Sequence, residues 1–336
     1  MGEGHQGGGR EAGRSMRLRG LFICLALASG TAGAQSAPAS YPAKPIRMII
    51  SFVPGGPNDI VGRALARRLE ESLSQTVIVD NRGGANGTLG TALAARTAPD
   101  GYTVLIGSLG TLGISPSIYP KLGYDAIRDF EHIAMIAVVA NLLVVHPTVP
   151  AKSLKALIAL ARKNPGKLNY GSVGGTSHLM AEMLNSAAQI STVHVPYKGA
   201  APALVGLIGG EVDFFVNPFP GLWPHVKSGK LRALAITTDK RSRFAPEVPT
   251  MGESGLPGYS AATWFSLEAP AGTPREIVAR LNQAVMKALR TPEMLDSLNN
   301  MNAEPVMATA EQTAEFIRNE IPKWAKAVKA AGVKPE

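Results

Sequence analysis

Short apolar segments alternate with amphipathic segments of helical period along most of this chain, and no other feature constrains the fold as strongly. In the first part of the alternation, strands are predicted over 46–52, 76–79 and 103–106, with helices over 59–73 and 88–96 between them. Each joint from a strand to a helix is rich in Gly, Pro, Asn or Asp. Such an alternation is typical of a parallel sheet covered by helices, and we therefore predict an α/β fold.

A second series of strands and helices follows two apolar runs within 133–146. Its predicted strands are 168–171, 192–195, 212–216 and 231–236, and its helices begin at Ser177, Ala201 and Gly221. One more strand then leads into three C-terminal helices, and these four segments are predicted over 263–268, 274–289, 292–299 and 310–330.

The simplest arrangement of two such series is two lobes, with the chain crossing from the first lobe to the second and later returning. We predict a domain 1 formed by residues 41–138 and 263–336, and a domain 2 formed by residues 139–262. Open α/β sheets bind ligands beyond the carboxyl ends of their strands. Two such lobes that face each other would therefore enclose a hinged cleft.

The N-terminal segment has the pattern of a secretory signal peptide over residues 16–34. Arg17 and Arg19 precede a short apolar segment, 21–28, and Ala32-Gly33-Ala34 supplies small residues for cleavage after Ala34. A short buried helix is the alternative interpretation. Residues 1–15 are interpreted as an upstream extension. We expect an exported protein, in a bacterial periplasm rather than in a eukaryotic secretory pathway, because the only cysteine, Cys24, lies within the apolar segment.

The composition is that of a globular protein, with 45% hydrophobic and 18% charged residues. No apolar run approaches the roughly 20 residues that a membrane-spanning helix needs. The net charge of +9 is spread along the chain, and only 6% of the residues are aromatic, so a nucleic-acid partner is not expected. A mild positive field of this kind favours small anions.

Three glycine-containing loops of domain 1 follow predicted strands, over 51–59, 80–88 and 107–111. Two of them open a helix, whose first N–H groups have no partner within the helix and can bind an anion. The alternative for the first loop is a tight turn capped by Asn58 or Asp59. In the second loop, a capping role is the favoured interpretation of Asn86 or Thr88.

Domain 2 has two comparable loops, over 170–178 and 195–199. Backbone amides and the hydroxyl groups of Ser172, Thr176 and Ser177 suit an oxygen of a carboxylate or phosphate. His178 falls in the first helical turn, where a structural hydrogen bond is the more common role. The second loop adds the aromatic ring of Tyr197 and the cation of Lys198, although a surface role for Lys198 is at least as plausible.

Catalytic and metal-binding patterns are largely missing from the sequence. There is no GxSxG or HExxH motif, and five of the histidines are scattered without metal-ligand spacing, at His132, His146, His178, His194 and His225. We therefore predict neither an enzyme nor a protein with a metal or other cofactor. An exported hydrolase that uses Ser172 and His178 is the remaining catalytic alternative.

From about Tyr41 to the C-terminus, the chain resembles the periplasmic solute-binding proteins of tripartite tricarboxylate transporters, often called Bug proteins. The match is specific because many individually weak motifs occur in one order. They are YPAKPIR at 41–47, PGGPND at 54–59, DNRGGANGTLG at 80–90, APDGYT at 98–103, GTSHL at 175–179, VPYKGAAPAL at 195–204, GGEVDFF at 209–215, LRALAIT at 231–237 and VPTMGESGLPG at 248–258.

This resemblance implies a two-lobed Venus-flytrap of the type II periplasmic binding protein class, in which each lobe is a mixed, mostly parallel sheet flanked by helices. Members bind di- or tricarboxylates, amino acids, or nicotinate-like and aromatic acids, and they deliver them to a permease with one large and one small subunit. A membrane sensor kinase is the alternative partner, and we expect a monomer. In this family, the loops of domain 1 hold a carboxylate through backbone amides and ordered water.

Carried over by position, the family's ligand contacts fall on both domains. The domain 1 residues are Phe52, Gly55, Gly56, Asn58, Asp59, Ala85, Asn86 and Ser108. The domain 2 residues are Ser172, Gly175, Thr176 and His178, with Tyr197, Lys198 and Asp213 nearby. Two departures leave the ligand open: Asn58 stands where the family usually has Thr, and the 170–178 loop is about two residues shorter than common versions.

Overall fold

The computed structural model describes Met1, residues 41–173 and residues 175–333. The predicted signal peptide 16–34, its cleavage site and all of the predicted upstream extension except Met1 lie outside the described residues. None of the helices in the described part of the chain combines the length and the apolar character needed to cross a membrane.

Strands and helices alternate in the described chain as the sequence pattern predicts. The strands are β1 Ile46–Ile50, β2 Val77–Asn81, β3 Thr103–Ser108, β4 Phe130–Val139, β5 Asn141–Val145, β6 Asn169–Ser172, β7 Val193–Pro196, β8 Phe214–Pro218, β9 Arg232–Ile236, β10 Thr263–Pro270 and β11 Ala303–Pro305. The helices are α1 Pro57–Leu73, α2 Thr88–Ala95, α3 Ser115–Ile118, α4 Leu154–Lys163, α5 Gly175–Ala188, α6 Ala200–Ile208, α7 Phe219–Lys227, α8 Arg275–Ala288, α9 Pro292–Asn300 and α10 Ala310–Ala330. A 3₁₀ turn, Ala85–Gly87, precedes α2, and a π-helical turn, Leu109–Ile114, precedes α3.

The described strands form two sheets, each flanked by helices, which makes a two-lobed α/β fold. Lobe 1 carries the sheet β11-β4-β10-β3-β1-β2, and lobe 2 carries the sheet β7-β6-β8-β5-β9. Both sheets are mixed, as predicted, but they are not mostly parallel. Four of the nine strand pairings in the described chain are parallel. The five antiparallel pairings all involve β4, β5 or β10, the strands that border the two crossings between the lobes.

The register of lobe 1 brings three chain segments to one edge of the sheet. Ile50 at the end of β1 lies beside Ile106 of the parallel strand β3. The antiparallel strand β10 places Phe265 opposite Ser108, the last residue of β3. The carboxyl ends of two parallel strands and the start of β10 therefore meet.

Capping residues define several helix starts. Pro57 occupies the first position of α1 after Gly56, and Thr309 with Gln312 forms a reciprocal capping box at α10. The sequence pattern missed two short segments, β11 and α3. Neither is long enough to show a period: β11 has three residues, and α3 has four.

Helix α10 connects the apolar interiors of the two lobes. It packs against β4 and the π-helical turn in lobe 1, and against α5 in lobe 2. Trp264 of β10 and Trp324 of α10 are fully buried, and the indole Nε1–H groups of both donate to Oε2 of Glu320, at 3.0 and 2.9 Å. One buried carboxylate of α10 thus accepts hydrogen bonds from two indole groups, one on the lobe 1 sheet and one on its own helix.

We predict that Glu320→Ala lowers the free energy of unfolding by about 3 kcal/mol, because two buried indole donors lose a charged acceptor. Chemical denaturation followed by tryptophan fluorescence measures this loss. The matched control is Glu315→Ala on the exposed side of the same helix, for which we expect a change within about 0.5 kcal/mol. Equal losses in the two variants would contradict the bridging role of Glu320.

Candidate functional site

A cavity of about 310 Å³ lies at the edge of the lobe 1 sheet where β1, β3 and β10 meet. Its size falls at the lower end of the roughly 300–1,000 Å³ typical of small-molecule sites. Its lining residues are Phe52, Pro57, Asn58, Asn86, Ser108, Leu109, Gly110, Ile114, Ser115, Ile118, Tyr119, Thr176, Thr263 and Phe265. Thirteen of these fourteen residues belong to lobe 1, and Thr176 of α5 reaches the cavity from lobe 2.

None of the described residues that line this cavity carries a formal charge. The polar groups are hydroxyls and amides, and the amino ends of two helical segments point to the same place. Asn58 is the second residue of α1, and Ser108 is the N-cap of the π-helical turn. The free N–H groups of a helical first turn carry a partial positive charge. The cavity therefore attracts an anion without a fixed cation.

The side chain of Asn58 is the most informative polar group of the cavity. Its Oδ1 atom is buried and has no hydrogen-bond partner within the described residues. A buried polar atom without a partner costs about 1–3 kcal/mol. Because the oxygen and nitrogen of an Asn side chain exchange by a flip, the amide can either accept from a hydroxyl or donate to a carboxylate.

Ser108 lies at the junction between β3 and the π-helical turn. Its side chain is buried and hydrogen-bonds to the Thr111 hydroxyl at 3.3 Å, while its backbone N–H donates to Thr111 Oγ1 at 3.3 Å. Single π-helical turns are frequent at functional sites. Here the turn brings Leu109, Gly110 and Ile114 onto the cavity wall.

The 3₁₀ turn after β2 places Asn86 at the cavity. Asn86 has a φ of +52° and donates from Nδ2 to the hydroxyl of Tyr119 at 2.7 Å, so two lining residues hold each other. Neither Asn86 nor Thr88 caps α2, contrary to the favoured interpretation of the sequence. The N-cap is Gly87, and the hydroxyl of Thr88 donates back to the Ala85 carbonyl at 2.8 Å.

Four sequence-predicted residues of lobe 1 do not line the cavity: Gly55, Gly56, Asp59 and Ala85. Asp59 instead shapes the loop, because it accepts hydrogen bonds from the Gly55 N–H, the Arg63 guanidinium and the Asn81 amide, each at 2.9 Å. Burial opposes the ionisation of Asp59, but these hydrogen bonds outweigh burial and lower its pKa. The capping alternative is wrong, because Gly56 is the N-cap of α1 and no side chain caps it; Asp59 lies inside the helix and ties its first turn back to Gly55.

The lobe 2 residues separate into one that lines the cavity and others around it. Thr176 lies on the wall, and Gly175 is the first residue of α5. Ser172 is only 2% exposed, and its Oγ atom lies 2.6 Å from Nε2 of His194. His178 pairs instead with the hydroxyl of Tyr170, at 2.8 Å. The hydrolase alternative predicted from the sequence therefore paired Ser172 with the wrong histidine.

Three further predicted residues of lobe 2 lie outside the cavity lining. The Tyr197 hydroxyl donates to Glu211 at 3.2 Å, and Lys198 is exposed. Asp213 precedes β8 and accepts a hydrogen bond from the N–H of Asn169, the first residue of β6, at 2.8 Å. Asp213 therefore lies at the amino ends of these strands, the sheet edge opposite to the one that carries Ser172.

The lining residues in and just after α3 and in β10 were not predicted from the sequence. Ser115, Ile118 and Tyr119 follow the 107–111 loop but belong to a segment too short to be recognised by period. Thr263 and Phe265 alternate along β10, so the period of two places both on one face. This alternation could have identified the two residues as neighbours on one face. It becomes a signal for the cavity only once β10 is placed beside β3 in the lobe 1 sheet.

We predict that Gly87→Ala displaces the Phe52 wall of the cavity. Gly87 has a φ of +89°, and an added Cβ would lie 2.8 Å from both Phe52 Cζ and Thr111 Cγ2. The matched control is Gly229→Ala, which has a φ of +74° but no atom within 4 Å. Both variants carry the strain of a positive φ, so we expect Gly87→Ala to lose about 2 kcal/mol more stability by thermal or chemical denaturation. Equal destabilisation would show that the Phe52 contact is not tightly packed.

Comparison with known proteins identifies relatives along nearly the whole chain. The family model described as "Tripartite tricarboxylate transporter family receptor" matches residues 61–333. Protein BugT of Bordetella pertussis is 39% identical over 324 residues, which cover 96% of this chain and 98% of that protein.

Two solved structures with ligands are also similar. The structure described as R. palustris Rpa4515 with adipate has a TM-score of 0.71 and 36% identity, and the match covers 88% of this chain and all of that one. MatC from Rhodopseudomonas palustris with bound malate has a TM-score of 0.67 and 32% identity, and the match covers 86% of this chain and all of MatC. The resemblance found in the sequence is confirmed: the chain belongs to the tripartite tricarboxylate transporter receptor family, whose members include the Bug proteins.

Proposed function

We propose that this protein is a periplasmic solute-binding protein that captures a small carboxylate-bearing molecule in the cavity between its lobes. The observation that carries the proposal is an uncharged cavity in which two helix amino ends converge with the hydroxyl of Ser108 and the side-chain amide of Asn58. The Oδ1 atom of Asn58 has no partner within the described residues, and the amide N–H group can donate to a carboxylate. The adipate and malate named for two similar structures support a dicarboxylate as the ligand class.

The polar groups at the cavity supply a favourable binding energy for a carboxylate. A helix amino end contributes up to about 2 kcal/mol to a partly buried anion, and a hydrogen bond to a charged group contributes about 1.5–3 kcal/mol. The ligand's own apolar surface, packed against Phe52 and Phe265, adds to these polar contacts when the ligand is bound.

The distribution of the lining residues suggests the order of events. Because thirteen of the fourteen residues belong to lobe 1, the ligand binds there first, and lobe 2 then closes with Thr176 over it. The hinge would lie where the chain crosses between the sheets, at Ala140 and near residue 262. The proposed domains accordingly keep the predicted boundaries, 41–138 with 263–336 and 139–262.

The proposed ligand-contact set joins the predicted residues at the cavity with those that support them. Phe52, Asn58, Asn86, Ser108 and Thr176 form the wall. Gly55, Gly56, Asp59 and Ala85 shape the lobe 1 loops. Gly175 and His178 belong with Thr176 to the first turns of α5, and Ser172 ends the strand that precedes this helix. Direct ligand contacts from Tyr197, Lys198 and Asp213 are not included in the proposal.

The proposed location and partners follow from the family. We infer export through the signal peptide 16–34, action as a monomer in the periplasm, and delivery of the ligand to a permease with one large and one small subunit. Presentation to a sensor kinase is the alternative. Reconstituted permease subunits that take up labelled adipate only when this protein is added would favour transport.

Catalysis is not part of the proposed function. The 2.6 Å contact between Ser172 and His194 would favour a hydrolase, but Ser172 is only 2% exposed, whereas a nucleophile must reach its substrate. A fluorophosphonate probe that labels Ser172 would support the hydrolase instead.

We predict that Asn58→Asp raises the dissociation constant for a dicarboxylate at least tenfold, because the added carboxylate repels the ligand and costs about 1.4 kcal/mol or more. Isothermal titration calorimetry with adipate and malate measures the change, once a carboxylate panel has shown which is bound. The matched control is Asn300→Asp, exposed on α9 and outside the cavity lining, which should bind as the unmodified protein does. Equal affinities of all three proteins would remove Asn58 from the site, and no response to any organic acid would overturn the proposed function.

A further inference from the structure

Two histidine side chains lie stacked in lobe 2, and one of them belongs to the helix that carries the cavity residue Thr176. The rings of His178 and His194, which we call the histidine stack, have centroids 4.0 Å apart and planes inclined by 22°. The buried ring of Tyr170 stacks against both, at 5.1 Å from His194 and 6.0 Å from His178. His178 belongs to the first turn of α5, which also carries the lining residue Thr176.

Hydrogen bonds fix the positions of the protons on one ring. The Tyr170 hydroxyl donates to Oε1 of Glu182 at 2.6 Å, so it must accept the hydrogen bond that joins it to Nδ1 of His178 at 2.8 Å. Nδ1 of His178 therefore carries the proton in the neutral ring, and Nε2 is the atom that can gain one. On the other ring, Nε2 of His194 is held by Ser172.

Few charges face the histidine stack from the elements packed around it. Helix α5 presents Glu182 besides His178 itself, β6 presents the neutral side chains of Tyr170 and Ser172, and β8 presents Phe214 against Tyr170. The exposed Lys198 lies in the loop after β7 and forms no ion pair within the described residues. Burial lowers the pKa of His194, the neighbouring His178 lowers it further, and Glu182 opposes them only in part.

The close stacking limits the pair to one added proton. Two unit charges 4 Å apart repel by about 4 kcal/mol at an effective dielectric constant of about 20. An anion bound beside Thr176, two residues before His178 on α5, favours a proton on the histidine stack, because opposite charges attract.

We propose that closure of the cavity over a carboxylate is coupled to the uptake of a proton by the histidine stack of His178 and His194. This inference rests on the proposed function, in which the cavity binds a carboxylate. The bound state holds more protons than the free state, so by linkage the affinity rises as the pH falls. One full proton corresponds to a tenfold gain in affinity per pH unit, and partial uptake gives less.

The first experiment uses the ligand-free protein and therefore does not depend on the proposed function. In an NMR titration of the histidine Cε1–H signals, we expect His194 to titrate below the ordinary value of about 6.5, and each imidazole of the stack to respond to protonation of the other. Independent titrations of both rings near 6.5 would overturn the proposal, whatever ligand the protein binds.

The second experiment counts protons on binding. Calorimetry with adipate or malate is carried out in two buffers of different ionisation enthalpy. The pH is about 7, so that the carboxylates of both probes are ionised. We expect an uptake of about 0.3–1 proton per ligand. His178→Gln/His194→Gln should reduce the uptake to about zero and remove the pH dependence of the affinity, while the control His225→Gln on α7 leaves both unchanged.

The outcomes separate the two hypotheses. Tight binding by the unmodified protein with no proton uptake would overturn the coupling and leave the proposed function standing. Proton uptake that persists in the double variant would mean that a group outside the histidine stack takes up the proton, and it would also overturn the coupling. If the double variant unfolds, which circular dichroism would reveal, His194→Gln alone with Ser172 retained gives the same test, and we expect at least half of the uptake to be lost.

Discussion

The convergence of helix amino ends on one edge of the lobe 1 sheet is the constraint on which the site depends. Parallel pairing of β1 with β3 brings the start of α1 and the start of the π-helical turn together, because both follow the carboxyl ends of adjacent strands. Backbone N–H groups at these ends supply positive potential without a lysine or arginine. A cavity built in this way can hold a carboxylate, and a change of a few lining side chains can alter which carboxylate fits.

The second lobe completes this arrangement rather than duplicating it. Among the described residues of lobe 2, Thr176 alone lines the cavity. Ser172, His194, His178 and Tyr170 form a hydrogen-bonded and stacked group at the strand and helix on either side of it in the chain. Helix α10 contacts α5, the helix that carries Thr176, and it is fixed to the lobe 1 sheet through Glu320. The position of the lobe 2 wall is therefore linked to the packing of the C-terminal helix.

Much of this could be predicted from the sequence, and the reasons for the rest are physical. The alternation of strands and helices predicted the α/β fold. The family resemblance, carried over by position, predicted Phe52, Asn58, Asn86 and Ser108 as contact residues, and the structure brings these four together at the cavity. The direction of β4 and β10 could not be predicted, because pairing across the two crossings is not encoded in any local period.

Tertiary pairings also decided which of the loop residues face the cavity. The sequence places Ser172 near His178, but parallel pairing of β6 with β7 sets Ser172 beside the strand that carries His194. Asp213 lies in a motif shared with the family, yet its place before β8 puts it at the far edge of the sheet. The hydrogen bond between Trp264 and Glu320 could not be predicted from the sequence either, because these residues are 56 positions apart.

We propose that a carboxylate binds between the lobes and is held there by uncharged groups. A crystal structure of the protein, grown with a carboxylate that calorimetry shows to bind, tests this most directly. We predict that the carboxylate lies within about 3.2 Å of the Asn58 amide or the Ser108 hydroxyl, with Thr176 closed over the ligand. A saturating ligand found outside this cavity, or paired there with a lysine or arginine side chain, would contradict it.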